Sequence, residues 1–212
     1  IPGLKVVCPS SAYDAKGMLI SSINDKNPVI FFEHRWLHST FSKVSNKYYT
    51  VPIGKSKIAK KGNDITIVSS SYMTIEALKA AEILKTYDVS AEIIDLRTLR
   101  PLDIKPILKS IKKTKKLLVV DNGWVQYGIS AEIISQVTTE KNFNKNIKIM
   151  RMGIADTPIP STRKLAELCY PDCVDISIEV EKILNRKFKN ISSKFKNYRA
   201  QDVPNKNFTG PF

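Results

Sequence analysis

The 212 residues carry 34 Lys and Arg against 20 Asp and Glu, a formal net charge of +14, and 42% of the side chains are hydrophobic. That apolar content fits a chain able to bury a core and excludes a disordered polyelectrolyte. No apolar run approaches the roughly 20 residues needed to span a bilayer as a helix.

In chain order, residues 4–7 form a short apolar run that ends at Cys8-Pro9. Ser10 or Ser11 can cap a following helix, and Asp14 in its first turn suits the helix dipole. Ala15, Met18, Leu19 and Ile23 recur at helical spacing, and the pattern stops at Asp25-Lys26-Asn27-Pro28. Residues 29–32, Val-Ile-Phe-Phe, then read as a buried strand. A parallel pair of this kind needs further strands beside it. The unit is therefore expected to close a domain that begins before Ile1. Residues 39–49 are polar and loop-like. Pro52 and Gly54 make residues 50–58 an irregular or edge strand. Lys60-Lys61-Gly62-Asn63-Asp64 reads as a turn, and the domain boundary is placed there.

From Asp64 the pattern turns regular. Residues 65–68 predict a strand, 69–71 a strand-to-helix turn, 73–87 a helix and 91–96 a second strand. Asp103 is expected to cap a helix over 104–111, where Pro106 is tolerable in the first turn. Residues 112–116 read as a basic turn, 117–120 as a strand, 121–123 as the loop at its carboxyl end, 128–137 as a helix and 147–152 as a strand. Such alternation predicts an α/β domain with a mostly parallel sheet. Ligands of these sheets sit at the strands' carboxyl ends, which brings forward Ser69–Ser71, Arg97, Asp121–Gly123 and Asp156–Pro158. No Gly-rich phosphate loop occurs, and the two histidines, His34 and His38, both precede the domain. No Ser-His-Asp set can be built within it. Asp95 and Arg97 read as an internal brace, and Trp124 as core or interface.

Three cysteines, Cys8, Cys169 and Cys173, are too few for a disulfide framework and point to a reducing compartment. Cys169 and Cys173 lie four apart with no second pair of ligands, a weak metal signal. Residues 182–212 hold eight basic side chains against the single acid Asp202, a net +7 and half the excess of the whole chain. Most of the cations are Lys, which favours a solvated basic surface over a nucleic-acid interface. The tail could still grip an acidic partner.

The blocks IPGLKVV, DAKG, SSINDKNPVIFFE, VPIGKSKI, DITIVS, EIIDLRTLRPLD, KKTKKLLVVDNGW, GISAEI and ADTPIP follow in one order. From Ile1 to about residue 184 this order resembles the beta subunit of thiamine-diphosphate-dependent 2-oxo acid dehydrogenases, of pyruvate or branched-chain type, in the transketolase-like superfamily. The resemblance implies residues 1–60 as the end of a transketolase-type pyrimidine-binding domain, 61–184 as a complete transketolase C-terminal domain and 185–212 as a basic tail. It implies an enzyme that decarboxylates a 2-oxo acid on thiamine diphosphate with magnesium and passes the acyl group to a lipoyl arm. The partners implied are an alpha subunit, a second beta subunit and a lipoyl acyltransferase core, with no membrane. The family's catalytic Glu and His would precede Ile1, so the chain alone is expected to be inactive.

Carried over residue by residue, the resemblance places a potassium site at the Ser22 and Ile23 carbonyls with Asp25 and Asn27. The plain alternative is a helix-ending turn in which Asp25 and Asn27 bond their own backbone. The same resemblance puts His34 or Arg35 at the mouth of the substrate channel, against a reading of 33–38 as a solvated loop with Trp36 packed. Two further readings stay open: a non-catalytic transketolase-type interaction module with a basic tail, and a transketolase or deoxyxylulose-phosphate synthase fragment.

Overall fold

The computed structural model describes residues 1–198 apart from 39, 142, 144, 145 and 167. Two sheets share it. The smaller has the order β2-β1-β6 and the larger β3-β5-β4-β7-β8.

β1 (Lys5–Val7) leads into α1 (Ala12–Ile23), and β2 (Val29–Phe31) returns parallel to β1. Ser11 is the cap: its hydroxyl accepts from the Asp14 amide at 3.2 Å, which satisfies one of the orphan donors of the first turn. β2 is an edge strand with Ile30 and Phe32 exposed, not the buried strand its composition suggests. A single-turn 3-10 helix (Arg35–Leu37) follows. The 49–51 segment lies on α1, where a Cβ at Gly17 would come within 2.5 Å of the Val51 side chain. Only a glycine permits that approach.

β3 (Lys57–Lys60) is the antiparallel edge of the larger sheet, so the irregular strand expected over 50–58 starts later and pairs forward in sequence. β4 (Ile65–Ser69), α2 (Tyr72–Lys85), β5 (Ala91–Asp95), β6 (Thr98–Arg100), α3 (Lys105–Thr114), β7 (Lys116–Trp124), α4 (Ile129–Thr138) and β8 (Lys148–Ile154) follow. β4, β5, β7 and β8 are parallel. α5 (Arg163–Ala166), α6 (Cys173–Leu184) and α7 (Ile191–Lys194) complete the chain with a 3-10 turn (Lys196–Tyr198). No helix among the described residues is long and apolar enough to cross a membrane.

Two expectations change. Asp103 does not cap α3, whose N-cap is Ile104 without a side-chain bond. Its carboxylate instead accepts from the Ser56 amide at 3.2 Å, tying the helix entry to the segment before β3. The basic turn at 112–116 is mostly helix: α3 continues to Thr114, and Lys115 closes it in the left-handed region at φ 57°. α6 was not foreseen. Its capping box uses Asp172 and Asp175 in place of the usual Ser/Thr and Glu, which hides it from pattern reading.

The larger sheet is covered on both faces, as a parallel sheet requires. α2 and α6 pack with Ile65, Ile67 and Ile93 on one face; α3 and α4 pack with Val68, Ile94 and Val119 on the other. The first part of the expected basic tail is packed too. Phe188, Ile191 and Phe195 are buried, and Tyr87 stacks on Phe188 with ring centroids 4.8 Å apart. Residues 199–212 of that tail lie outside the described residues.

The two sheets are joined through Arg97, a non-glycine residue at φ 56°. Its Nη1 donates to Asp14 Oδ1 at 3.0 Å, and Nε and Nη2 donate to the Lys55 carbonyl at 3.0 and 2.8 Å. Asp95 accepts from the Arg97 amide at 3.1 Å and from the Ser10 hydroxyl. The Arg97 carbonyl accepts from the Cys8 amide at 2.7 Å, beside the antiparallel β1–β6 pairing. Asp14 is fully buried and Lys57 adds a second cation at 3.2 Å. The brace expected of Asp95 and Arg97 thus reaches across to α1. Arg97→Met is expected to leave the buried Asp14 with the half-exposed Lys57 as its only cation, beside the Ser11 hydroxyl, and to cost about 3–5 kcal/mol. Urea unfolding should report the loss; a change under 1 kcal/mol would refute the assignment.

Candidate functional site

In the larger sheet the chain leaves β4 to one side for β5 and to the other for β7, so the crevice at the carboxyl ends of β4 and β7 is a topological switch point. A cavity of about 370 Å³ opens there. Tyr72 and Met73 line it from the start of α2, Asn122 from β7, and Tyr170 and Pro171 from the α5–α6 connection. The segment after β2 closes it with Glu33, His34, Arg35 and Trp36. A second cavity of about 190 Å³ runs over the start of α1 by Pro9, Ser10 and Ser11, and Glu33 and His34 line this one as well. His34 therefore separates two neighbouring spaces.

Its ring is fixed on two sides. It stacks on Tyr72 with centroids 4.9 Å apart and planes 18° from parallel, while Trp36 meets Tyr72 edge-on at 5.0 Å. His34 Nδ1 accepts from the Trp36 amide at 3.3 Å, so the proton of the neutral imidazole sits on Nε2. Burial, and then the charge of His38, lower the pKa of His34 below its ordinary value. His38 itself is exposed and lies 3.6 Å from the Glu33 carboxylate, a contact of little energetic weight. Arg35 is exposed on the cavity rim.

Beneath the aromatic layer the Tyr72 hydroxyl donates to Glu76 at 2.9 Å. Glu76 is fully buried and also accepts from Lys79 at 2.7 Å and from the Cys173 amide at 3.0 Å. Burial and the Glu76 carboxylate push the Tyr72 phenol well up, so it stays a donor. Burial pushes the Asp95 carboxyl up to about 6, against the opposing hydrogen bonds from Ser10 and the Arg97 amide. Burial, followed by Asp95 and Asp121, pushes the Cys8 thiol up to about 12, so Cys8 is not a nucleophile at neutral pH.

The sequence-derived candidates divide. His34 and Arg35 come together at the crevice, joined by Asn122. Asp121 turns away to accept from the Gly123 amide at 3.1 Å, and 121–123 extend β7 instead of forming a loop. Ser69 pairs with Thr74 at 3.1 Å beneath the crevice, and Arg97 serves the junction. Trp124 is half-exposed, with its indole N–H 3.5 Å from the Thr157 carbonyl. Cys169 and Cys173 bond separate backbone carbonyls, of Leu165 and Tyr198. Among the described residues no group of three or more His, Cys, Asp or Glu could hold a metal ion. Tyr72, Glu76 and Tyr170 were missed. Nothing in their spacing marks them, because a short loop from another part of the chain brings His34 onto Tyr72, which bonds Glu76, and Trp36 beside Tyr170.

The turn after α1 lies apart from the crevice. Asp25 takes the Lys5 ammonium and accepts from the Asn27 amide at 2.9 Å and its side-chain nitrogen at 3.1 Å. The Lys5 hydrogen bond, followed by the Asn27 amide, lowers the Asp25 carboxyl to about 2. The Ser22 carbonyl accepts from the Asp25 amide at 3.3 Å, and Ile23 is exposed.

A parallel sheet with a crevice at its switch point, braced to a strand–helix–strand unit, defines a transketolase-like α/β protein. Residues 54–176 match the transketolase C-terminal domain and residues 1–39 the transketolase pyrimidine-binding domain, and the chain belongs to this family. It is 40% identical over 183 residues to the pyruvate dehydrogenase E1 component subunit beta of Rickettsia bellii, covering 86% of this chain and 56% of that protein. Against the mitochondrial subunit of Pisum sativum the identity is 42%, covering 82% and 50%; against that of Bacillus subtilis it is 37%, covering 86% and 56%. The chain thus spans about half the length of these relatives. A split-gene transketolase, solved as an inactive beta4 tetramer, shares the fold at a TM-score of 0.72 and 22% identity, covering 89% of this chain and 60% of that one.

Folding favours the neutral form of His34. Its contribution to stability is complete above the ordinary histidine range and is lost as pH falls through the lowered value. NMR titration should give His34 a pKa below the ordinary histidine value. Tyr72→Ala, which opens the ring to water, should move His34 back up; no movement would show that the stack does not bury it.

Proposed function

We propose that this sequence works within a pyruvate dehydrogenase-type E1 enzyme, as the part of the beta subunit that walls the substrate crevice and carries subunit contacts. The observation that carries this reading is the identity of about 40% to E1 beta subunits across 82–86% of the chain, spanning both matched domains. In this reading the complete enzyme decarboxylates a 2-oxo acid and passes the acyl unit to a lipoyl arm.

Thiamine diphosphate supplies the electron sink for decarboxylation when bound. The described residues do not fit it as a complete site. The buried acids, Glu76 beneath the crevice and Asp95 and Asp14 at the junction, each have partners within the chain, and among the described residues no group of three or more His, Cys, Asp or Glu could hold a metal ion. The pyrimidine-contacting acid, the diphosphate cradle and the magnesium ligands therefore fall to other residues, among them those of an alpha subunit. A second beta subunit and a lipoyl acyltransferase core complete the assembly proposed.

What this chain supplies is a wall. His34, held neutral and with its Nε2 proton between two cavities, can donate to a carbonyl or carboxylate oxygen without bringing a charge. Arg35 at the rim can meet a substrate carboxylate before it is desolvated. The aromatic layer of Trp36, Tyr72 and Tyr170 excludes water from the approach.

The test is the complete subunit carrying this sequence, co-expressed with its alpha subunit and assayed for 2-oxo-acid-dependent reduction of ferricyanide. Activity on pyruvate is expected, with Arg35→Ala raising KM about tenfold and leaving kcat nearly unchanged. An assembled complex inactive on every 2-oxo acid would refute the reading.

The potassium site proposed at the Ser22 and Ile23 carbonyls with Asp25 and Asn27 fits in donor chemistry, being hard oxygens at a helix C-terminus. The Lys5 ammonium competes for the same carboxylate. Melting of this chain should occur at higher temperature in KCl than in equimolar NaCl, and Asp25→Asn should close the gap. Identical curves for the unmodified chain would rule the ion out.

A further inference from the structure

At the end of the larger sheet opposite the crevice, a cavity of about 250 Å³ lies between α3 and α4, beside the residues that lead into β7 and β8. Its floor is apolar: Leu108 and Ile111 from α3, Val137 from α4, then Phe143 and Ile147. Lys112 and Lys115 stand on its rim, with Glu140 also lining it. The surrounding surface is strongly basic. Lys109 and Lys113 lie on the same helix, and Lys116 and Lys148 sit side by side in the β7–β8 register. Lys113 is committed to Glu92 at 2.7 Å, and Lys148 to the Ile183 carbonyl at 3.3 Å.

Cations in the last turn of a helix complement its dipole, which accounts for Lys112 and Lys113. It does not account for Lys109 and Lys116, nor for a cavity floored by apolar side chains at their centre. We propose that this groove docks an acidic protein segment that inserts one bulky apolar side chain between α3 and α4.

The geometry selects this occupant over others of the same charge. Nucleic acid is held largely through its phosphates and favours the bidentate arginine fork, whereas the rim here is lysine. A membrane surface takes up apolar side chains that protrude, and here they are recessed. A peptide anchor suits the space, which is sized for one aliphatic or aromatic side chain and is ringed by cations that steer and orient acidic neighbours. The groove is independent of the E1 reading: it uses none of the crevice residues.

Fluorescence anisotropy of the full chain tests it with four labelled probes. These are a Glu- and Asp-rich peptide with one central Phe, the same peptide with Ser for Phe, an oligouridylate, and phosphatidylserine vesicles. The Phe peptide should bind at least about tenfold tighter than the Ser peptide, because the ring is removed from water. Reversing the rim with Lys112→Glu and Lys115→Glu should weaken the Phe peptide by about tenfold or more at low salt. Leu108→Trp, which fills the cavity, should abolish the difference between the two peptides while melting as the unmodified chain does. If Leu108→Trp fails to fold, the peptide comparison and the rim reversal decide alone. Equal affinity for both peptides, tighter binding of RNA or vesicles, or no effect of rim reversal would each overturn the proposal.

Discussion

The structure depends on one guanidinium. Arg97 lies between the two sheets, with Asp14 of α1 on one side and the Lys55 carbonyl on the other. A planar fork with donors in fixed directions bridges a carboxylate and a carbonyl on two of its sides; an ammonium gathers its three donors at a single point. Burial makes the arrangement stringent, because each partner removed leaves a desolvated charge behind. The left-handed backbone at Arg97 is part of the same constraint. It turns the chain from β5 into β6, so that β6 leaves the larger sheet and pairs with β1.

That junction sets where the crevice lies. β1, α1 and β2 are held at a fixed distance from β4 and β7, and the segment after β2 falls across the gap. His34 can then stack on Tyr72, and the aromatic layer closes over Glu76. The two cavities meeting at His34 are thus a consequence of packing between units far apart in sequence. The charges divide in part: Asp14 and Asp95 are buried with partners near the junction, and lysines gather at the opposite end of the sheet, where Lys113 pairs with the buried Glu92.

Much of the architecture was legible in the sequence. Alternating strand and helix patterns from residue 64 gave the parallel sheet, and Ser11 with Asp14 marked the start of α1. The fold of β6 onto β1 was not legible, since three residues of Thr-Leu-Arg carry no periodicity and pairing across 90 residues leaves no local trace. The burial expected over 29–32 is not found, because an apolar run looks alike at the centre and the edge of a sheet. At the crevice, only the resemblance pointed to His34 and Arg35, since residues 33–38 by themselves read equally well as a solvated loop. Tyr72 and Tyr170 carry no pattern of their own, because they meet His34 and Trp36 only after the loop has docked.

Strand β6 has a consequence for how the molecule comes apart. It lies in sequence inside the unit that begins near residue 54, yet its hydrogen bonds belong to the sheet of the preceding one. The apparent linker at 60–64 therefore separates two sequence patterns without separating two thermodynamic units. A cut there would strip β6 of its partner strand and Arg97 of Asp14 together. The regions on either side are coupled in their unfolding, and a boundary drawn along the chain is not a boundary of cooperativity.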